Sequence, residues 1–175
     1  ELMKRYAMEE VSPTEVYDNL QKLSDFFSRK FIGLDHECLY MMLLNNRLNM
    51  IDCVLVSEGV VSSSTVPIRL MTQKALFRKA TAVVLAHNHP QGLALPSAGD
   101  IAVTETLASA FDAIDITLLE HLILAGNRCY PIMQQHSASI RLNPANKQID
   151  SRFYQNFYNI KYEEWRAPSF FPKMK

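Results

Sequence analysis

The sequence predicts an α/β fold in which a mixed β-sheet is flanked by helices. Two periodicities of the apolar residues predict it: a helical period in three segments, and a strand-like alternation or unbroken apolar run in five others. These segments follow one another in the order αββαβαββ, which implies a mixed sheet with helices on its faces. With 175 residues, 48% of them hydrophobic, the chain can bury the core of one such domain.

The first part of the chain is predicted to form a helix and a β-hairpin. Ser12 and Thr14 are possible caps of the helix, whose apolar residues recur at near-helical spacing. These residues are Val16, Leu20, Leu23 and Phe27. The apolar runs at residues 38–44 and 50–56 are strand-like, and the polar residues at 45–47 form the turn between them.

Helices and strands alternate in the second part of the chain. Residues 67–79 are predicted to form a helix, and residues 82–86 a short, wholly apolar strand of the buried kind. A helix at residues 97–112 and strands at 116–124 and 128–133 complete the order. The residues of the 67–79 helix that are expected to face inward are Ile68, Met71 and Ala75.

A short motif after the buried strand carries the chemistry. His87 and His89 flank one residue, and Asp100 follows after ten intervening residues. Because an extended backbone points residues i and i+2 to the same face, both imidazoles can contact one ion. The loop at residues 90–96, which contains Pro and Gly, then reverses the chain and delivers the Asp100 carboxylate. Three such ligands leave a fourth position for water, as in catalytic zinc sites.

Other interpretations of this segment are open. A His pair is often solvated or packed in a core, and Ser97 with Asp100 three residues later also has the pattern of a helical capping box. The contiguous His-Asn-His is no evidence for an HNH nuclease, whose name refers to residues far apart in sequence. Zinc nucleobase deaminases need H-x-E and P-C-x-x-C, which the three cysteines do not provide. A metallohydrolase accounts for the whole segment.

The spacing His-x-His, seven residues, Ser, two residues, Asp matches the motif of the JAMM (JAB/MPN) metalloproteases. The wider string from residue 84 to residue 124 resembles the RadC-like branch of that superfamily, and the resemblance covers residues 34–131. It implies the MPN/JAB fold, with a cytidine-deaminase-like layering of sheet and helices. It also implies a zinc (Zn2+) peptidase or isopeptidase that cleaves an amide bond by metal-activated water. The domain is therefore expected at residues 1–135, with its core at 34–131.

The resemblance also implies roles for residues around the metal ligands. In JAMM enzymes a Glu on an earlier strand accepts the proton of the metal-bound water. Glu58, at the end of the second predicted strand, is the first candidate, and Glu37 is the second. Ser97 would donate the hydrogen bond that stabilises the oxyanion. His121 is either a satisfied core residue or a group that supports the metal ligands from behind.

Three functions follow as hypotheses. The first is a zinc peptidase acting on a protein or peptide substrate, and the second is a non-catalytic MPN scaffold. The third is the DNA-repair association that the historical label of RadC-like proteins implies, but 18 basic and 18 acidic residues disfavour nucleic acid as a partner. No apolar run reaches the ~20 residues of a membrane span, and three unpatterned cysteines favour a reducing, cytoplasmic location.

The segment at residues 136–175 changes character and is predicted to be an aromatic-rich C-terminal extension. Its aromatic residues are Phe153, Tyr154, Phe157, Tyr158, Tyr162, Trp165, Phe170 and Phe171. Such a cluster either packs on the domain or forms a contact between copies in a homo-oligomer. Basic residues interleave with the aromatic ones, so a stacking surface for single-stranded nucleic acid is a further alternative.

Overall fold

A computed structural model describes residues 15–59 and 66–136 of the chain. Within these ranges the predicted order of elements is confirmed, and one more short helix follows it. The elements are α1 (Leu20–Phe31), β1 (Cys38–Leu44), β2 (Met50–Glu58), α2 (Ile68–Phe77), β3 (Ala82–Asn88), α3 (Ala98–Asp112), β4 (Thr117–Ala125), β5 (Arg128–Pro131) and α4 (Ile132–Gln135). The predicted α/β fold with a mixed sheet is confirmed.

The strands form one sheet in the order β2-β1-β3-β4-β5. The pair β3–β4 is parallel, and α3 provides the crossover connection that a parallel pair requires. The other three neighbouring pairs are antiparallel. All residues of β3 are buried, as expected for a central strand covered on both faces. Because the loop after β3 leads directly into α3, the carboxyl end of β3 lies near the first turn of that helix.

The two faces of the sheet are covered by different helices. Directly opposite residues of neighbouring antiparallel strands point to the same side, and Leu39 is opposite both Ser57 and His87. We call the face that carries these three residues the α3 face, because Asp100 of α3 lies 3.3 Å from His87. Tyr40 points to the opposite side and packs edge-on against a phenylalanine of α1. We call that side the α1 face.

The hydrophobic core lies on both faces of the sheet. Phe111 of α3 and Phe27 of α1 are completely buried, and β1 contributes buried side chains in both directions. Met71 and Ala75 of α2 are also buried, and Ile68 is half-buried against the core. Each fully buried large apolar side chain stabilises the fold by about 1.5–3 kcal/mol. The central strands thus form a rigid base for the residues at their ends.

The first helix begins later than the sequence predicts. Val16 forms a β-bridge with Asn49 in the β1–β2 turn, so it is not helical. The cap of α1 is Asn19, whose side chain accepts a hydrogen bond of 3.0 Å from the backbone N–H three residues on. The prediction that Val16 belongs to the helix is wrong, because the hairpin engages the backbone of that segment. Ser12 and Thr14 lie outside the described residues.

The last strand is shorter than the sequence predicts. β5 ends at Pro131 instead of residue 133, and α4 follows directly. The N–H groups of Met133 and Gln134 donate to the buried carboxyl group of Glu120, at 2.6 and 3.1 Å. That carboxyl group satisfies amides that are unpaired at the start of a helix, which favours a helical turn over continued strand pairing.

The described residues include the predicted domain core at 34–131, apart from residues 60–65. The predicted C-terminal extension lies outside them from residue 137 onwards. No helix in the described part of the chain is both long and apolar enough to cross a membrane.

Candidate metal centre

Two imidazoles and one carboxylate meet where β3 ends and α3 begins. His87 is the second-to-last residue of β3, and His89 follows it by two residues. Both side chains therefore point to the α3 face. Asp100 lies in the first turn of α3. One ligand atom from each of the three lies within 4.8 Å of the others. The structure therefore brings together the three residues that the sequence predicts as metal ligands.

A chain of hydrogen bonds fixes the proton positions on His87. Thr104 Oγ1 donates its proton to the carbonyl of Asp100 at 2.6 Å, because a carbonyl can only accept. His121 Nδ1, 2.7 Å from the same hydroxyl, must then carry a proton and donate it. Burial lowers the pKa of His121 well below its usual value, so its ring is neutral and its Nε2 accepts from His87 Nδ1 at 2.8 Å. In a neutral His87 ring, Nε2 therefore has no proton.

These hydrogen bonds show which of the two predicted roles His121 has, a core residue or a group that supports a metal ligand. The residue is buried, as a core residue would be, but its ring contacts His87 directly. Groups that hold the second ring nitrogen of a metal-bound His orient the ring and fix its tautomer. His121 therefore lies where the family resemblance implies.

A contact in the loop that follows β3 places a proton on Nδ1 of His89 as well. Its Nδ1 lies 2.9 Å from the carbonyl oxygen of Leu93, which can only accept, so Nδ1 carries the proton. When the ring is neutral, Nε2 is left with a lone pair that can bind a metal ion. The loop folds back closely because residue 92 is Gly: a Cβ there would lie 3.3 Å from the His89 Cβ, a tight contact.

The two Nε2 atoms of His87 and His89 face each other at 3.0 Å. With both ring protons on Nδ1, no hydrogen bond joins these atoms, and a cation between them would relieve the repulsion of their lone pairs. Ligands at about 2.0–2.1 Å from a tetrahedral ion are about 3.3–3.4 Å apart. The cluster is close to that spacing, since Asp100 Oδ1 lies 3.3 Å from His87 Nε2 and Oδ2 lies 3.8 Å from His89 Nε2. These residues can hold a metal ion.

Asp100 serves the helix and the cluster at once. Both the N–H and the hydroxyl of Ser97 donate to Asp100 Oδ2 at 2.7 Å, and the Asp100 N–H donates to Ser97 Oγ at 3.1 Å. This is the predicted capping box. Burial alone would raise the pKa of Asp100, but its pKa lies well below the usual range, and the hydrogen bonds from the Ser97 hydroxyl and N–H contribute to this shift. The capping and ligand interpretations of the sequence are therefore compatible.

The structure does not bring Glu58 to the histidine pair. Residue 56 is an extra residue in β2: Tyr40 pairs with Leu55, whereas Leu39 pairs with Ser57. This β-bulge turns Glu58 to the α1 face, where its Oε1 lies 3.5 Å from His36 Nε2. Without the extra residue, the pairing would place Glu58 on the α3 face instead.

Glu37, the second candidate, directly precedes β1. Leu39, opposite His87, is the last residue of β1 that pairs with β3 at this end, and Glu37 lies two residues before it. The backbone ladder extends this far on the other side of β1, because the Gly59 N–H donates to the Glu37 carbonyl at 2.8 Å. Glu37 is half-buried. The alternation of β1, continued to Glu37, would direct its carboxylate to the side of the sheet that carries His87.

Two further residues near the candidate ligands, Thr104 and Asn88, were not predicted from the sequence. Thr104 follows Asp100 by four residues, so helical periodicity could have placed both on one face of α3. Asn88, between the two histidines, points the other way: its Oδ1 accepts from the Cys38 N–H at 2.7 Å, and its Nδ2 donates to the His36 carbonyl at 2.9 Å. Asn88 thereby fastens the start of β1 to the histidine pair.

Comparison with known proteins agrees with this geometry. The family model of the RadC-like JAB domain matches residues 17–138. A UPF0758 protein of Pseudoalteromonas translucida is 31% identical over 129 residues, which are 74% of this chain and 58% of that protein. A UPF0758 protein of Aromatoleum aromaticum is 32% identical over 127 residues, 73% of this chain and 56% of that protein. The chain thus spans little more than half the length of these curated relatives. It belongs to the RadC-like JAB domain family.

Proposed function

We propose that the chain is a zinc-dependent hydrolase that cleaves an amide bond, as a peptidase or isopeptidase. The observation that carries the proposal is the convergence of the Nε2 atoms of His87 and His89, 3.0 Å apart beside Asp100. Two imidazoles and one carboxylate suit zinc, and such an open ligand set is typical of catalytic sites. When bound, zinc lowers the pKa of a water to about 7 and polarises a carbonyl oxygen.

Glu37 is the proton acceptor in this proposal. The alternation of β1, continued to Glu37, would place its carboxylate on the α3 face, and this supports the role because a general base must lie within hydrogen-bond reach of the proton that it accepts. The same carboxyl group would then give the proton to the leaving amine. Glu58, the first candidate from the sequence, would have to reach this proton from the α1 face.

Ser97 is the proposed donor to the oxyanion. Its hydroxyl proton is directed at Asp100 Oδ2, 2.7 Å away, so it must turn from that oxygen to the substrate. The backbone N–H of Ser97 bonds the same oxygen at 2.7 Å and would keep the carboxylate in place during the turn. An oxyanion donor of this kind contributes about 3–4 kcal/mol to stabilisation of the transition state.

The proposed substrate is a protein or peptide. Equal numbers of acidic and basic residues continue to disfavour nucleic acid. A reducing, cytoplasmic location is part of the proposal, because all three cysteines are free. Since the chain spans little more than half of its curated relatives, the activity and partners of the whole protein belong to the proposal as well.

The test measures zinc content and cleavage of a library of quenched fluorogenic peptides and lysine isopeptides on the same preparations. The wild type should cleave at least one library member, and His87→Ala should abolish cleavage together with zinc at this centre. Glu37→Gln should retain zinc there and slow cleavage about 10²- to 10⁴-fold, because it removes the base but not the ligands. Glu58→Gln is the matched control and should retain cleavage.

Two results would count against the proposal. Cleavage at the wild-type rate in His87→Ala would overturn the metal-dependent mechanism. A zinc-loaded wild type that cleaves no member of the library would favour a non-catalytic MPN scaffold instead. If cleavage survives Glu37→Gln and is lost in Glu58→Gln, the proton acceptor is Glu58.

A further inference from the structure

A second group of metal-ligand side chains lies on the α1 face, away from the His87 centre. A ring nitrogen of His36, the sulfur of Cys38 and a carboxylate oxygen of Glu58 lie within 4.8 Å of one another. The β1–β2 register pairs Cys38 with Glu58, and His36, two residues earlier, lies on the same side. We propose that these three residues bind a second divalent transition-metal ion of the borderline class, such as zinc.

The donor atoms and their spacing fit such an ion. Nitrogen, thiolate sulfur and carboxylate oxygen are the three donor types that zinc accepts. His36 Nε2 and Glu58 Oε1 are 3.5 Å apart, and two such ligands of one tetrahedral ion are about 3.3–3.4 Å apart. Both side chains are partly exposed, so an ion can enter from solvent and keep water at its remaining position.

His36 is oriented as a ligand would be. Its Nδ1 lies 2.9 Å from Asp35 Oδ1, which can only accept, so Nδ1 carries a proton, and Nε2, which is directed at Glu58, must be without a proton when the ion binds. Metal-bound histidines commonly donate their second ring N–H to a carboxylate in this way, which fixes the tautomer. Asp35 thus has the position relative to His36 that His121 has relative to His87.

Cys38 provides the third donor from inside the fold. It is 1% exposed, and its thiol makes no hydrogen bond within residues 15–59 and 66–136. Cys53 and Cys129 lie in no comparable group of ligands in the same ranges. The backbone N–H of Cys38 donates to Asn88, so an ion at this site would hold the end of β2 against the strand start that Asn88 fastens.

Cobalt(II) titration tests this site separately from the first one. A thiolate ligand gives Co(II) an intense near-ultraviolet charge-transfer band, and the His87 centre contains no thiol. The wild type should bind about two Co(II) ions per chain, one of them with the thiolate band. Cys38→Ser should lose the band and one ion, whereas the matched control Cys53→Ser should keep both. His87→Ala should lose the other ion and keep the band.

Since Cys38 is buried, His36→Ala provides a second variant at an exposed position, and it should also lose the band. Circular dichroism verifies that each variant is folded. Absence of the band in the wild type, or its persistence in both Cys38→Ser and His36→Ala, would overturn the proposal. In that case His36 and Glu58 form a surface ion pair only. Because the readout is spectroscopic, the result does not depend on whether the first centre hydrolyses anything.

Discussion

His121 and Glu120 are neighbours in β4 and completely buried, but they point to opposite faces of the sheet. Burial has opposite effects on the two pKa values. On the α3 face, desolvation lowers the pKa of His121 well below its usual value. On the α1 face, desolvation raises the pKa of Glu120 to about 8, although three backbone N–H donors oppose this shift. Each shift favours the uncharged form of its group.

His121 and Glu120 form hydrogen bonds with different kinds of partner. The neutral ring of His121 connects Thr104 to His87, so the order of protons leaves a lone pair on the metal side of His87. Glu120 instead joins β4 to α4 by accepting from backbone N–H groups such as that of Met133. The two buried groups thus differ in their partners: His121 contacts a candidate metal ligand, whereas Glu120 contacts backbone amides.

The largest effect should come from Thr104→Val, which breaks the chain on the α3 face while conserving side-chain volume. Without the hydroxyl, His121 Nδ1 loses its acceptor, and the ring can adopt the other tautomer. Its Nε2–H would then force the proton of His87 onto the nitrogen that faces the metal. We expect metal affinity at this centre to fall about 10- to 100-fold, as for other groups that hold a metal-bound His.

Competition with a chelator measures that affinity, and long-range ¹H–¹⁵N NMR of the histidine rings reports the tautomer directly. Thr106→Val is the matched control, because Thr106 is exposed on the same helix and its hydroxyl donates to the Ala102 carbonyl. Equal metal affinities in the two variants would show that the hydrogen-bond chain does not set the protonation of His87.

The group of candidate metal ligands could be predicted from the sequence, but the choice between the two candidate proton acceptors could not. His87, His89 and Asp100 are close in sequence, and their spacing alone indicates one site. The choice between Glu37 and Glu58 depends on a single extra residue in β2, which reverses the direction of every side chain beyond it. Nothing in the local apolar pattern signals such a bulge.

The order of helices and strands could likewise be predicted from periodicity, whereas two element ends could not. α1 begins late because the backbone at Val16 pairs with Asn49, more than thirty residues away in sequence. β5 ends early because the carboxyl group of Glu120 accepts hydrogen bonds from backbone N–H groups of α4. Both ends are set by partners from distant parts of the chain, and local propensity carries no information about them.

The second prediction concerns the α1 face and the pH dependence of folding. Glu120 has a folded pKa of about 8, above its usual 4.5, so the folded protein retains a proton that the unfolded chain releases. Stability should therefore fall as pH rises from about 4.5 to about 8. Glu120→Gln keeps an acceptor for the backbone amides and removes this titration, so its stability should lack that contribution.

Urea unfolding of metal-free protein across this pH range measures the difference between wild type and Glu120→Gln. The free-energy difference should shift with pH in favour of the variant, and other titrating groups cancel in the comparison. Glu105→Gln, an exposed position on α3, is the control and should follow the wild type at each pH. A pH-independent difference between wild type and Glu120→Gln would contradict the raised pKa.

The smallest effect should come from Ser97→Ala, at the exposed end of the α3 face. The variant removes the hydroxyl that accepts from the Asp100 N–H and donates to its carboxylate, but it keeps the backbone N–H to the same oxygen. Metal-free protein should lose about 1 kcal/mol of stability in urea unfolding, the usual contribution of an N-cap. Metal affinity should fall less than in Thr104→Val, because the ring protons stay in place.

Ser109→Ala, near the other end of α3, is the control and should change neither quantity appreciably. A loss of metal in Ser97→Ala as large as that in Thr104→Val would mean that Asp100, and not the order of protons on His87, limits binding.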